Sequence, residues 1–554
     1  MLDNLPASIV LIVLPLWLLA GRRGWLARPW GRRTALAASL VVVAFAAPWQ
    51  GVELEVGRRL NLVLAAATLA LLGLPRLGVE RWGRRGTDLL LAALAGGALL
   101  VNLNFFAFHG VGQRIFVHYY DVAHYYLGAK YFGELGYDGL YTAMLRAEAE
   151  LYDNRLWTLE ARDLTDDRIV HVRVLLERSE PLKAAFTAER WRAFLADVAF
   201  FRRHLGQELA RFYLDRGFNA TPVWALAGGW LADAVPAEEG GILLLAAIDP
   251  LLLAAMFAAV GWAFGRRAML LSLIYLSIAY GATFGWVGGA FLRYGWLTAL
   301  VGGFCCLARR RSTAAGVLLA IAAGLRIFPA LFAVGLAAVT GRQLLARRRL
   351  PADLRRTIAA ALVTGLALVL ATALLPQGLA AWPAFGVKSR LYADALAPNV
   401  VGLTPLLAYE GRPQQVDAER LAAIQQRRAR FRRWQMGLVF VPLLVATAWA
   451  FGRRPLLEAM AGGGLLLAFT GLNLAAYYWS FLVLLLLAHR RRPAVALGLF
   501  GLETAVYLLA LFEPHPGMLF LYRSLLVLYL LLALYLPALA AARPWRRAAR
   551  HTTP

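Results

Sequence analysis

Apolar stretches of 12 to 23 residues recur along this 554-residue chain, and short clusters of arginine separate them. A spanning helix needs about 20 apolar residues, with polar flanks completing the shorter runs. Hydrophobic residues make up 60% of the chain and charged residues 16%, against about 45–50% and 25% in soluble domains. Lipid must cover that surplus. The same figures exclude disorder. The two cysteines, Cys305 and Cys306, sit side by side in one apolar run, which excludes a disulfide scaffold and a cysteine-based zinc site. A net charge of +25 spread over a soluble surface would point to nucleic acid. Here arginine outnumbers lysine 55 to 3 and clusters between the apolar runs, so the charge reads as topology signals obeying the positive-inside rule. No nucleic-acid partner is expected.

The fold class expected is all-α: a polytopic integral membrane protein of about 13–15 transmembrane helices. The runs predict helices near 5–20, 34–48, 60–74, 88–107, 242–264, 269–286, 292–307, 313–325, 327–340, 357–375, 435–451, 456–471, 474–488, 494–512 and 520–541. The first is read as a retained helix, because Asp3 is the only charge before it. The clusters Arg22–Arg33, Arg76–Arg85, Arg266–Arg267, Arg309–Arg311, Arg342–Arg356, Arg453–Arg454, Arg490–Arg492 and Arg543–Arg550 fall on one side. Assigning that side to the cytoplasm of a bacterial inner membrane puts the N-terminus outside and the C-terminus inside. Residues 313–340 begin and end at such clusters yet span only 28 residues. Gly324, Arg326 and Pro329 lie at their middle, and proline removes a helical donor. A pair of short helices meeting inside the protein is expected, since broken backbone is tolerated at membrane depth only within protein or a wet cavity; one kinked helix is the alternative.

Two long segments fall on the outer side. Residues 108–241 carry 15 basic against 19 acidic side chains, net −4, while the rest of the chain carries +29. With five of the eight histidines and amphipathic patterns around 143–160 and 186–215, they read as a large helical loop subdomain after the fourth helix. Residues 376–434 form the second segment. The organisation expected is therefore 1–87, N-terminal transmembrane helices; 88–241, a core helix plus the loop subdomain; 242–375, a transmembrane core with short broken helices; 376–434, the second external loop; and 435–554, C-terminal transmembrane helices.

The densest chemical signal runs from His118 to Tyr141, where many tyrosines crowd around His118, Asp121, His124, Lys130 and Asp138. Aromatic rings with polar tips suit sugar faces and membrane interfaces alike. An aromatic belt at the headgroup level accounts for the tyrosines, whereas Asp121 among them has the character of a general base for a hydroxyl. His118, Asp121 and His124, three apart, fan over roughly 120° of a helix; a divalent metal on them is one reading, and interfacial or hydrogen-bonded histidines the other. A charge at mid-helix costs about 2.5 kcal/mol or more and by default marks function, so Arg326 is the second signal. A guanidinium grips phosphate with two prongs; snorkelling to the interface is the alternative. The third signal is Lys388, Arg390, Asn399 and Arg412, followed by the basic run Arg420–Arg433, on the side where basic residues are not expected. That run suits anionic membrane lipids. Asn473 and Tyr477-Tyr478-Trp479 open a late helix at the same face.

These patches together resemble the GT-C superfamily, polytopic glycosyltransferases that use polyprenyl-phosphate sugars, and within it the bacterial mannosyltransferase-like branch. The resemblance touches four patches over residues 88–490. It implies that Asp121 is the loop-one catalytic carboxylate, that Arg326 stands where the family commonly has lysine in a Lys-x-aromatic-Pro step, and that Asn399 and Tyr478 fall on the late Asn and aromatic motifs. Arginine in place of lysine, extra N-terminal helices and an unusually long first loop depart from the pattern. The implied activity is inverting transfer of a hexose or pentose from a polyprenyl-phosphate donor to an envelope lipid, glycan or protein. No obligatory cofactor is implied. Asp121 would be catalytic, and His118, Tyr120, His124, Tyr125, Lys130, Asp138, Arg326, Lys388, Arg390, Asn399 and Tyr478 would bind substrate. A ligase-type or non-catalytic protein of envelope polysaccharide assembly shares the large external loops. A transporter would want charged mid-bilayer sites and two-fold repeats, and neither is visible beyond Arg326.

Overall fold

A computed structural model describes residues 54–74, 83–102, 109–110, 113–114, 117–152, 160–394, 397–409, 427, 431–432 and 434–540. The expected helices at 5–20 and 34–48, Arg412, most of the run Arg420–Arg433 and the terminal arginines lie outside the described residues. Among the described residues the chain is mostly helical, with three two-stranded antiparallel ribbons and short connecting loops.

Among the described residues, five helices are long and apolar enough to cross a membrane: Glu55–Gly73, Glu239–Phe264, Phe328–Arg347, Ala352–Leu374 and Pro516–Pro537. Six shorter apolar helices pack among them, from Gly295–Ala308 to Pro493–Leu509. Burial inside the protein does not account for this apolarity. On Ala352–Leu374 the side chains Leu362, Val363 and Leu366 are 61–68% exposed, an outward apolar face that only lipid covers. The chain is an all-α membrane protein.

Small residues set the tightest helix contacts. A Cβ on Gly316 would strike the Thr357 carbonyl, and one on Gly335 would strike the Ala459 carbonyl. Ser312–Leu325 therefore lies directly against Ala352–Ala371, and Ala333–Arg347 against Leu456–Gly471. Deep in the helical core, Glu503 on Pro493–Leu509 and Arg523 on Pro516–Ala540 form a fully buried two-pronged ion pair, Oε1 to Nη2 at 2.8 Å and Oε2 to Nη1 at 3.2 Å. The Tyr280 N–H donates to the same carboxylate at 2.9 Å.

Residues 117–246 contribute most of a second buried cluster, which Phe291, Leu375, Ala381 and Phe385 join from elsewhere in the chain. This cluster is strongly aromatic. Tyr126, Tyr131, Tyr137 and Tyr141 lie inside it, and their hydroxyls reach Val235 O, Asp197 Oδ2, Ala220 O and His124 Nε2 at 2.7–2.9 Å. Those tyrosines are core, neither belt nor sugar platform; the ring-rich sequence mixed two populations.

Two local expectations change. The predicted helix 269–286 ends at Ile278; a turn with left-handed Gly281, a short helix Phe284–Val287 and a loop to Tyr294 follow. Apolar composition alone does not distinguish buried irregular backbone from helix. The Phe284 N–H donates to Asn102 Oδ1 at 2.6 Å, which satisfies part of the broken segment. The second helix of the 313–340 pair runs on to Arg347, so only the first, Ser312–Leu325, is short. The chain breaks at Arg326, in extended conformation.

Candidate functional site

The helix Tyr119–Lys130 starts at His118, whose Nδ1 accepts the Asp121 N–H at 3.3 Å. An N-cap acceptor of this kind requires the neutral ring. Burial and the nearby Arg293 guanidinium push His118 down to about 4. The His118 N–H donates to Gly289 O at 3.0 Å, so the helix start is fastened to the loop 288–294. That loop carries Arg293, whose guanidinium is ion-paired with the Asp121 carboxylate and lies over the rings of Tyr477 and Tyr125 at 5.0 and 5.7 Å. Phe291 and Leu292 are both left-handed, a conformation that disfavours side chains of their kind. The carboxylate of Asp249, fully buried inside Glu239–Phe264, holds them there by accepting the N–H of Ala290 at 2.9 Å and of Tyr294 at 3.4 Å.

Arg326 closes the C-terminal end of Ser312–Leu325, where a cation complements the helix dipole. It is 8% exposed, donates to Tyr125 Oη at 2.8 Å and lies over the Tyr125 and Tyr478 rings at 5.3 and 5.9 Å. Its guanidinium is enclosed by these two rings and does not reach open surface. Tyr125 in turn donates to Asn219 Oδ1 at 2.8 Å. Thr221 caps Pro222–Ala234 and also donates to Gly324 O at 2.6 Å, locking the aromatic cluster to the break.

These groups open into one cavity of about 1080 Å³. Of the residues singled out from sequence, His118, Tyr120, Asp121, His124, Tyr125, Arg326, Lys388, Arg390, Asn399 and Tyr478 line it. Lys388, on Ala381–Asp394, is 4% exposed; its ammonium donates to Leu164 O at 3.0 Å and faces Asp138 Oδ1 at 3.6 Å. Burial lowers its proton affinity, opposed by Asp138. Arg390, two residues on, is exposed. Asn399 reaches the cavity because its carbonyl accepts the Ala476 N–H at 2.7 Å, beside the ribbon Val400–Val401 with Leu474–Ala475.

Two residues fall elsewhere. Lys130 is turned into the second cluster, bonded to Asp197 at 2.8 Å and to Tyr126 at 3.0 Å. Asp138, half-exposed, stands outside the cavity and serves Lys388. His124 lines the cavity by one edge only. Its Nδ1 meets Tyr120 O and its Nε2 meets Tyr141 Oη, and it stacks on Phe212 at 3.8 Å. Burial pushes it down to about 4. Its ring nitrogens thus point away from Asp121, and among the described residues no three His, Cys, Asp or Glu side chains converge as ligands.

Sequence reasoning missed Arg293 and Asp249, whereas Asn473 and Tyr477, singled out at the late helix, both line the cavity. Arg293 lies between apolar stretches just as Arg326 does, so the same cost argument applied to it; placing it at a helix boundary hid it. Asp249 lies inside an apolar run beside Pro250 and carried the same signal. No family model, curated protein or solved structure matches this chain. The fold and the cavity therefore define the class: an all-α membrane protein with a cationic, tyrosine-walled chamber around one arginine-bound aspartate.

Proposed function

We propose that this chain is a membrane glycosyltransferase that moves a sugar from a polyprenyl-phosphate donor to an envelope acceptor, at the outer face of a bacterial inner membrane, with inversion. The observation that carries the reading is the presence, in one chamber, of Asp121 and a buried Arg326 whose neighbours among the described residues are tyrosines and no carboxylate. A guanidinium buried without an anion is costly, and an incoming phosphate supplies one. Asp121 takes the proton of the acceptor hydroxyl as that oxygen bonds to the anomeric carbon. The bond from that carbon to the phosphate oxygen breaks, and its electron pair leaves with the phosphate, whose charge Arg326 neutralises. One displacement assisted by one base inverts the centre, unlike two-carboxylate retaining designs. Arg293, held over Tyr477, orients the carboxylate. Tyr120, Tyr125, Tyr478 and Asn399 form the walls against which the sugar faces lie.

The test is transfer by purified membranes supplied with a panel of radiolabelled polyprenyl-phosphate sugars. Asp121→Asn keeps the shape and removes the proton acceptor, so turnover falls by about 10² to 10⁴ while donor affinity changes little. Asp138→Asn leaves turnover within a few-fold of the unaltered protein. Full transfer by Asp121→Asn would sink the assignment. Uptake of the sugar without transfer would favour a transporter.

A further inference from the structure

The cavity holds more positive charge than such a donor can use. Seven arginine and lysine side chains line it against three carboxylates. Arg293 takes Asp121, Arg211 faces Glu208 at 3.5 Å and Arg216 faces Asp167 at 3.4 Å. A polyprenyl-phosphate sugar brings a single phosphodiester charge, and Arg326 at the Tyr125–Tyr478 wall suffices for it. The surplus lies at a different wall. Lys388 and Arg390 come from Ala381–Asp394, and Lys388 is anchored on Leu164, in the turn between the strands Glu160–Asp163 and Arg168–His171. Leu164 touches Gly217, which neighbours the cavity-lining Arg216. No part of the break at Arg326 takes part in that wall. Lys388 is nearly buried, with a backbone carbonyl and the half-exposed Asp138 as its company. A neutral second substrate would desolvate this wall without compensating it.

We infer that the second substrate is anionic, a sugar or glycolipid headgroup bearing phosphate or carboxylate, and that Lys388 and Arg390 hold its charge. The inference rests on the glycosyltransferase reading, with Arg326 as the donor's phosphate site. Two anion sites in one chamber separate the substrates by position: the donor's phosphate at the break, the acceptor's charge at Ala381–Asp394.

The full-length protein in phosphatidylcholine nanodiscs is titrated with mannose 6-phosphate, galacturonate, neutral mannose and farnesyl phosphate. Mannose 6-phosphate and galacturonate are expected to bind at least tenfold more tightly than mannose. The double variant Lys388→Gln, Arg390→Gln should weaken both by about 10- to 100-fold, the worth of charge-assisted contacts, and leave farnesyl phosphate within threefold. Arg326→Gln should do the reverse. Lys388→Arg, which keeps the charge, and Arg390→Gln alone, at an exposed position, provide the same comparison if the double variant fails to fold. Equal binding of mannose and mannose 6-phosphate overturns the proposal. So does unchanged binding in Arg390→Gln and the double variant, or competition between farnesyl phosphate and mannose 6-phosphate for one site. Loss of sugar-phosphate binding in phosphatidylglycerol nanodiscs also overturns it, by making the wall a site for bulk lipid headgroups. Charged sugars binding where farnesyl phosphate does not would support the anion site while sinking the transferase reading, so the two failures are distinguishable.

Discussion

Asp249 acts on the chamber through backbone alone: its carboxylate fixes the loop that aims Arg293, and the same loop receives His118. Asp249→Asn turns one acceptor into a donor facing N–H groups. Charge-assisted hydrogen bonds are worth about 1.5–3 kcal/mol each, so a loss of that order in stability is expected by thermal unfolding in detergent, with transfer falling further than the unfolding shift alone explains. Equal stability and transfer in the variant would show that the loop holds itself. A second residue-scale expectation concerns acid. His118 and His124 sit near 4 in the folded protein, against about 6.5 when unfolded. The unfolded chain therefore binds more protons between these values. The stability these rings contribute is complete above pH 6.5 and is lost as pH falls toward 4. His118→Asn keeps an N-cap acceptor without titrating, so its melting temperature should fall less steeply over that window. Asp121 and Arg326 were legible in the sequence because a charge among apolar or aromatic neighbours is conspicuous. Lys130 misled because its partner, Asp197, is 67 residues away.

Helices were legible where an unbroken apolar run and the helix coincide, as for 456–471 and 313–325. The segment Phe284–Tyr294 was not, since its apolar residues are buried by protein, and burial by protein and by lipid select the same side chains. Among the described helices the most extensive contact is Ser312–Leu325 on Ala352–Ala371. Gly316→Leu places a side chain where the Thr357 carbonyl lies. Overpacking of this kind typically costs about 1–3 kcal/mol, and the displaced helix carries Arg326 at its end. Weaker farnesyl phosphate binding is therefore expected from a substitution about ten residues, or roughly 15 Å along the helix, from the cation. Unchanged affinity would mean that Tyr125 and Thr221 position Arg326 without help from the helix.

At the scale of the whole molecule, Arg309–Arg311 and Arg347–Arg349 lie at the helix ends opposite the break at Arg326. The positive-inside rule then predicts that the chamber faces away from the cytoplasm. Cysteine at exposed position 192 should react with an impermeant reagent on intact cells, and cysteine at position 347 only after lysis. The opposite pattern would invert the topology and with it the leaflet of the lipid donor. Charge clusters made this reading possible from sequence. The cavity itself was not legible, because it is assembled from walls as far apart in the chain as Asp121 and Tyr478.

The Glu503–Arg523 pair has a consequence for how the chain enters the bilayer. Each partner alone would be an uncompensated charge in hydrocarbon, and they belong to successive helices joined by a short turn. The two helices must therefore leave the insertion machinery as a paired hairpin. A ribosome that stops before residue 523 strands Glu503 without its counter-ion, so the helix Pro493–Leu509 is neutralised only once Arg523 has followed it into the membrane.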